Sequence, residues 1–126
     1  MKLTAAEEQI MKYLWKLEKT FMKELVEQFP EPSPAYTTIA TLLTRMIKKE
    51  FVGYNQYGNV REYYPLIKKS DYYSSKVNGM IRNYFNDSAA QFASFFTKKT
   101  DISLSELEEI KEMIEKQIEN KKEKDN

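Results

Sequence analysis

The spacing of apolar side chains changes near residue 50, and this change limits the fold more than any other feature. After it, segments 51–57 and 59–66 are aromatic and β-branched, which is typical of strands, and Gly58-Asn59 between them favours a tight turn. Before it, residues 33–49 carry an apolar stripe at helical spacing. The stripe consists of Ile39, Leu42, Leu43, Met46 and Ile47. A helix followed directly by a β-hairpin is therefore predicted.

Two further helices are predicted ahead of this one. Residues 4–7 (TAAE) have the form of a capping box and open the first helix. A shorter helix follows at 22–29, and the prolines of segment 30–34 then force a turn. Within that turn, Ser33 is the expected N-cap of the third helix. Three helices and a hairpin predict a winged helix-turn-helix domain over residues 1–69.

The rest of the chain predicts more helical surface than a small appendage can bury against itself. Helix starts are indicated at Ser70-Asp71, at 88–91 (SAAQ) and at 103–106 (SLSE). Burial against a second copy of the chain is favoured, which makes residues 70–120 a helical dimerisation domain; docking onto the winged helix is the alternative. The charged segment 121–126 is predicted to be disordered. The residues expected in the dimer contact are Met80, Ile81, Tyr84, Phe85, Phe92, Phe95, Phe96, Leu107, Ile110, Ile114 and Ile118.

The composition argues against catalysis. None of the 126 residues is Cys or His, which excludes disulfides, thiolate chemistry and imidazole acid–base catalysis and leaves few ligands for zinc or copper. The sequence contains no paired-acid motif and no glycine-rich phosphate loop. Neither an enzyme nor a cofactor or metal site is expected.

A cytoplasmic protein without membrane insertion is also expected. No apolar run approaches the roughly 20 residues that cross a bilayer. The first residues, MKLTAAEEQ, lack the apolar core of a signal peptide. With 41% hydrophobic and 31% charged residues, the composition is typical of a folded, soluble chain.

Positive charge is concentrated beside the third helix. The net charge is only +1 and the isoelectric point is near 7.8, which is not the basic composition typical of a DNA-binding domain. Residues 45–69, however, contain six Lys and Arg against two Glu. A local patch of this kind can attract phosphates while the acidic remainder keeps the total near neutral.

The polar face of the third helix is hydroxylic at its start and cationic at its end. Threonine hydroxyls and methyls can approach base edges in a DNA major groove, and arginine can pair with guanine or a phosphate. A solvated helix face is the alternative. Phosphate contacts are expected from Lys48, Lys49 and, on the hairpin, Arg61. The residues of the face are Thr37, Thr38, Thr41, Thr44, Arg45 and Lys48.

Two other uses of such a fold stay open. A winged helix can serve protein–protein contact without binding DNA, and this use would tolerate the near-neutral net charge. An RNA-binding module is less favoured, because an exposed recognition helix suits the wide major groove of B-form DNA rather than the deep, narrow groove of A-form RNA.

The motifs EEQIMKYLWKL and TIATLLTRMIKK, followed by a hairpin with Gly58, Val60, Tyr63 and Pro65, resemble the BlaI/MecI family of penicillinase repressors. The resemblance implies a winged-helix repressor that dimerises through its C-terminal helices on a palindromic operator. It assigns base reading to Thr37, Thr38 and Thr41, with Arg45 nearby. Thr37 stands where the family often has lysine, and Asn59 stands where its wing often carries a cation. Both departures bear on the operator sequence and its affinity.

The same resemblance implies a route of induction. In this family, a membrane-bound β-lactam-sensing metalloprotease leads to cleavage within the dimerisation region, usually at an Asn-Phe bond. The matching place here reads Phe95-Phe96, so the cut lies elsewhere or the signal differs. Copper-responsive relatives carry a cysteine site that this chain lacks. The expected function is repression of a β-lactam-resistance or related stress operon, with release by proteolysis or another signal.

Overall fold

The computed structural model describes residues 2–125 and contains six α-helices and three β-strands in that range. Three helices precede the hairpin and three follow it, as the helix-start signals and the hairpin pattern predict. The mainly helical architecture with a small hairpin is confirmed. The elements are α1 (Ala5–Leu17), β1 (Thr20–Phe21), α2 (Met22–Glu27), α3 (Tyr36–Lys48), β2 (Val52–Tyr57), β3 (Val60–Pro65), α4 (Lys69–Tyr84), α5 (Ala89–Lys99) and α6 (Leu104–Asp125).

The start of α1 follows from its predicted capping box. The Glu7 backbone N–H donates to Thr4 Oγ1 at 3.2 Å, and the Thr4 N–H donates to Glu7 Oε1 at 2.8 Å. These bonds satisfy amide groups at a helix end that would otherwise lack partners. On the inner face, Ile10, Met11 and Leu14 are completely buried. The cap and the apolar spacing therefore favour the same helix.

The third helix begins later than predicted. Its N-cap is Ala35, which supplies no side-chain hydrogen bond, so the assignment of Ser33 as N-cap is wrong. The reason is the backbone of Ala35, which remains extended at ψ 146° and delays the first helical residue to Tyr36. From there Ile39, Leu43 and Met46 recur at helical spacing and are buried. The predicted apolar stripe thus anchors α3 in the core.

The three strands form an antiparallel sheet in the order β1-β3-β2. Tyr57 pairs with Val60, which leaves Gly58-Asn59 as the two-residue turn of the predicted hairpin. Gly58 has a φ of +59°, a conformation that glycine adopts without steric cost and that suits the first position of a type II′ turn. On the other edge of β3, Thr20 pairs with Tyr63. The short β1 thus connects the start of α2 to the hairpin.

One hydrophobic core unites α1, α2, α3 and the sheet. Each large aliphatic side chain that is fully buried contributes about 1.5–3 kcal/mol relative to an exposed one. Within residues 2–125 the buried side chains all lie in the first compact unit, residues 2–76. The core consists of Ile10, Met11, Leu14, Met22, Leu25, Ile39, Leu43, Met46, Phe51, Val52, Tyr63 and Tyr72.

The fourth helix begins before its predicted cap. The helix already includes Lys69, and the Tyr72 N–H donates to Lys68 O at 3.0 Å. Ser70-Asp71 therefore lies within the first turn, and its assignment as the cap is wrong. An acidic residue in this turn, Asp71, still complements the positive end of the helix dipole.

The first turns of α4 belong to the winged-helix unit. Trp15 Nε1 donates to Ile67 O at 2.9 Å, and the Trp15 ring lies 5.7 Å from the rings of Tyr72 and Tyr73. Because these aromatic contacts continue the core past the hairpin, the first compact unit ends at Lys76 and not at residue 69. This unit extends seven residues beyond the domain 1–69 that the sequence predicts.

The second compact unit, residues 77–125, has an aromatic cluster but little burial. Phe85 lies 5.4 Å from Phe92 and 5.3 Å from Phe95 between ring centroids. At the start of α5, Ser88 Oγ accepts the N–H of Gln91, which is half of the capping box predicted there. Neither α5 nor α6 contains a buried side chain within the described residues.

The C-terminal tail is helical where the structure describes it. A complete capping box opens α6: the Glu106 N–H donates to Ser103 Oγ at 3.1 Å, and Glu106 Oε1 accepts the Ser103 N–H at 3.5 Å. The helix continues to Asp125, so the predicted disorder of segment 121–126 is wrong for 121–125. Good helix formers such as lysine and glutamate extend it without burial. Asn126 lies outside the described residues.

Candidate nucleic-acid interface

The outward face of α3 is exposed along its length. Its buried side chains all lie on the opposite face of the helix, so the polar face is free to meet another molecule. This is the geometry that a helix needs to enter a major groove. The exposed residues include all four predicted base-reading residues, namely Thr37, Thr38, Thr41 and Arg45, together with Thr44 and Lys48.

The hydroxyl of Thr41 already has a partner for its proton. Thr41 Oγ1 donates to Thr37 O at 2.9 Å, and Thr44 Oγ1 donates to Ala40 O at 3.0 Å in the same way. Each hydroxyl oxygen keeps its lone pairs, and each methyl group stays available. In this rotamer Thr41 can therefore accept a hydrogen bond from an exocyclic amino group or contact a thymine methyl.

The N-terminus of α3 is also open. Ala35 offers no side-chain cap, and the first turn holds no acidic residue. The positive end of the helix dipole is thus uncompensated there, which favours an anion such as a phosphate. Tyr36, the first residue of the helix, is 59% exposed. Sequence reasoning missed this tyrosine, although its place two residues after Pro34, at the start of the third helix, was a usable signal.

Lys49 already has partners within the chain. Its Nζ lies 2.8 Å from Glu7 Oε1 and 3.1 Å from Glu7 Oε2, and it donates to Lys2 O at 3.3 Å. Because the Glu7 side chain is completely buried, a cation beside it offsets a large desolvation cost. A phosphate would have to remove Lys49 from this pair. This pair disfavours the phosphate contact that the sequence predicted for Lys49.

Two opposing effects act on the ionisation of Glu7. Burial by itself raises the pKa of this carboxyl. Hydrogen bonds from Lys49 and Thr4 outweigh burial and hold the pKa of Glu7 below its ordinary value. Glu7 is therefore ionised at neutral pH, and its bonds to Lys49 tie α1 to the residue that follows α3.

On the hairpin, Arg61 is exposed but held in place. Its guanidinium carbon lies 4.1 Å from the ring centroid of Tyr54, and its Nε donates to Gln56 Oε1 at 3.1 Å. The tyrosine face attracts the cation, while the terminal nitrogens of the guanidinium remain able to donate. Asn59 is exposed at the turn and supplies no charge. The cation of this wing is therefore Arg61 on the strand, not a residue at the tip.

A family model described as penicillinase repressor matches residues 3–116 of the chain. The chain belongs to the penicillinase repressor family. The match covers the winged helix, α4, α5 and much of α6. It therefore confirms the resemblance that the helix and hairpin motifs carried, and it extends that resemblance to the C-terminal helices.

Individual members of the penicillinase repressor family match over most of their length. The chain is 28% identical over 122 residues to a penicillinase repressor of Bacillus licheniformis, with 96% of this chain and 95% of that protein covered. It is 28% identical over 119 residues to the methicillin resistance regulatory protein MecI of Staphylococcus aureus (strain N315), with 90% and 94% covered. The solution structure of the DNA-binding domain of the repressor BlaI is similar to it, with 33% identity and a TM-score of 0.50, over 56% of this chain and 88% of that domain. The winged-helix fold is thereby confirmed.

The C-terminal unit of this penicillinase repressor family member exposes large apolar side chains. Tyr84 is 78% exposed, Ile114 54% and Phe95 50%. Soluble chains seldom leave so many large apolar groups in water unless another surface covers them. Of the predicted dimer residues, those that are exposed are Met80, Tyr84, Phe95, Phe96, Ile114 and Ile118, and those that are half-buried are Ile81, Phe85, Phe92, Leu107 and Ile110.

Two other kinds of site, a membrane-spanning helix and a cluster of metal ligands, are absent from residues 2–125. None of the helices there is both long and apolar enough to pass through a membrane. In the same range, no three His, Cys, Asp or Glu side chains are grouped so that they could hold a metal ion.

Proposed function

We propose that this chain is a transcriptional repressor that binds a palindromic duplex operator as a homodimer. The observation that carries the proposal is the exposed threonine and arginine face of α3, and we call α3 the reading helix. This face lies in a fold similar to the DNA-binding domain of the repressor BlaI. The buried stripe of α3 fixes the helix from behind, so its polar face can enter a major groove without rearranging the core.

The side chains of the interface divide between bases and backbone. Thr37, Thr38 and Thr41 read base edges, and Arg45 reads a base near the end of the helix. Lys48 and Arg61 bind phosphates on either side. Tyr36 joins them at the open N-terminus of α3, where a phenol and the helix dipole can act on one phosphate. Backbone contacts of this kind orient the protein, and base contacts select the sequence.

Dimerisation covers the apolar surface of α4, α5 and α6. The exposed Phe95, Phe96 and Ile114 would each gain roughly 1.5–3 kcal/mol from complete burial. A second copy of the chain supplies a matching surface without any further partner, and a two-fold dimer presents two reading helices to a palindrome. The apolar groups left exposed in the single chain support this proposal.

The kind of gene that this chain regulates is proposed by analogy with its relatives. Those relatives are named for penicillinase and for methicillin resistance, so we propose a cytoplasmic repressor of a β-lactam-resistance or related stress operon. Release would follow from a membrane-bound sensor metalloprotease pathway or from another signal, and the region around Phe95-Phe96 is where a cut is sought, because it matches the place of the family's cleavage bond. Both phenylalanines are exposed on α5 in the single chain, and in the proposed dimer local unfolding of α5 would have to precede a cut. Mass mapping of fragments after co-expression with such a sensor tests this route, and an uncut chain that still leaves its operator would point to another signal.

The direct test is selection of DNA by the full-length chain. Duplexes enriched from a random library should contain two inverted half-sites about one helical turn apart or slightly more. Affinity for them should fall steeply as salt rises, since each phosphate contact releases counterions. If the chain enriches no sequence and binds duplex DNA weakly even at low salt, a winged helix for protein–protein contact becomes the better interpretation.

A further inference from the structure

Two neighbouring glutamates in the first turn of α1 hold two different elements. Glu7 pairs with Lys49, which directly follows the reading helix. Glu8 Oε2 accepts a hydrogen bond from Tyr72 Oη at 2.7 Å and another from Lys76 Nζ at 2.8 Å. Tyr72 and Lys76 lie four residues apart on one face of α4. One helical turn of α1 is therefore bonded to the end of α3 and to the beginning of α4.

The contact at Glu8 is sheltered on the protein side. The Tyr72 residue is 6% exposed, and its ring lies 5.7 Å from that of Trp15 and 6.1 Å from that of Phe51. The Glu8 side chain is 18% exposed, and Lys76 Nζ lies 5.7 Å from the centroid of the Tyr72 ring. Two donors on one carboxylate oxygen define the rotation of α4 about its own axis better than one flexible ion pair does.

We propose that Glu8 is a positioning residue that fixes the start of α4 relative to the reading helix and thereby sets which half-site spacing the dimer accepts. The inference rests on the proposed function, because it requires a dimer on a palindrome. The physical reason is continuity: α4 runs without a break from Lys69 to Tyr84 and carries Met80 and Ile81, which belong to the proposed dimer contact. The anchoring of the first turns of α4 is therefore the part of this path that Glu8 can control.

The dependence of DNA affinity on half-site spacing differs according to whether the first turns of α4 are held firmly or loosely against α1. When the start of α4 is held firmly, both reading helices meet only one arrangement of half-sites, and binding loses no entropy in ordering α4 against α1. When the start of α4 is held loosely, the two reading helices reach several half-site spacings. Each complex is then weakened by the conformational entropy lost when DNA binding orders the start of α4. Loss of the negative charge of Glu8 would by itself strengthen DNA binding, so a loss of affinity cannot come from net charge.

The experiment compares spacing profiles of the full-length chain. The probe is a fluorescent duplex carrying the palindrome that the wild-type chain selects from random DNA, with its half-sites kept or moved apart by one and two base pairs. For Glu8→Ala we expect affinity for the best spacing to fall about three- to tenfold and the preference over moved half-sites to shrink by a similar factor. Tyr72→Phe removes one hydroxyl and keeps the ring, so it should flatten the profile in the same direction but less. A duplex with a single half-site should bind all variants within about twofold of wild type.

Glu27→Ala is the matched control. Glu27 is an exposed acid of α2 that makes no ion pair with another residue of 2–125, so its removal should leave the spacing profile unchanged. A purely destabilising effect of Glu8→Ala would lower all spacings and the single half-site equally, and that result would overturn the inference. The inference would also be overturned if Glu8→Ala and Tyr72→Phe each showed the same dependence of affinity on half-site spacing as the wild-type chain. A wild-type chain that is monomeric, or that shows no spacing preference, would instead overturn the proposed function.

Discussion

Adjacent residues around the end of α3 have different roles that their chemistry alone does not separate. Lys48 is exposed on the polar face, whereas Lys49 pairs with the buried Glu7 carboxylate. Thr41 keeps its hydroxyl proton within the helix and offers an acceptor and a methyl group outward. At this scale, the atom that each side chain leaves available decides what it can bind.

The hydroxyl oxygen and the methyl group of Thr41 can be tested separately. Thr41→Val keeps a branched apolar side chain but removes the acceptor, and Thr41→Ser keeps the acceptor but removes the methyl. If the oxygen accepts from a base, Thr41→Val should cost about 1–3 kcal/mol on the selected operator and blur its sequence preference, and Thr41→Ser should cost less. Competition gel shifts with single-base variants measure this. Thr44→Val, which loses the same kind of hydrogen bond to the helix, is the control for helix stability.

Lys48 and Lys49 form a matched pair for the salt dependence of binding. Lys48→Gln should reduce the slope of log affinity against log salt by about one, since one phosphate contact is lost. Lys49→Gln should leave the slope nearly unchanged and instead lower the free energy of unfolding by roughly 1–3 kcal/mol, because Glu7 is left without its cation. Salt titrations and urea denaturation measure the two effects. An equal change of slope in both variants would return Lys49 to the interface.

Acid should weaken the folded state through Glu7. Its pKa in the folded chain is lower than in the unfolded chain, so the unfolded chain binds more protons between the two values. Stabilisation is therefore complete above the ordinary glutamate pKa of about 4.3 and is lost as pH falls through the lowered value. Urea denaturation from pH 6 to about pH 3 should show this loss. The Glu7→Gln chain should be less stable at neutral pH, and its free energy of unfolding should change less over this pH range. Parallel stability curves for the two chains would contradict the assignment of the acid effect to Glu7.

Among the elements, the hairpin requires glycine at its turn, whereas α4 does not require the glycine that it contains. Gly58 needs a positive φ for its turn, whereas Gly79 lies inside α4 with open space where a Cβ would stand. Gly58→Ala should therefore destabilise the winged helix by about 1 kcal/mol. Gly79→Ala should stabilise α4 by roughly 0.5–1 kcal/mol. Thermal unfolding measures both changes, and a Gly79→Ala chain that dissociates would reveal a close contact with the second copy at that position.

For the whole molecule, the division into two units predicts how truncation acts. A chain ending at Lys76 keeps Tyr72 and its contacts to Trp15, whereas an end at Ile67 would remove them from the core. The 1–76 fragment should therefore fold as a monomer and bind the operator about 10²–10⁴-fold more weakly than the full chain, because two linked half-sites raise the effective concentration. Sedimentation and gel shifts test this. A full-length chain that is itself monomeric would contradict the dimer.

The sequence by itself determined the features that depend on near neighbours. Capping boxes at Thr4 and Ser103, the apolar stripe of α3 and the Gly58 turn each follow from residues a few positions apart, because helix caps and tight turns are closed by local hydrogen bonds. The outward position of Thr41 and Arg45 followed from the same helical period. The motifs of the reading helix and the hairpin also carried the family resemblance.

Only the tertiary structure decided which charges are available and where the first unit ends. Lys49 meets Glu7, and Tyr72 meets Glu8, across 42 and 64 positions of the chain. Local patterns contain no information on such pairs, since burial and distance arise only when the whole core is assembled. For this reason the sequence could propose Lys49 for a phosphate and end the domain at residue 69, whereas packing assigned the lysine to a buried carboxylate and the first turns of α4 to the winged helix.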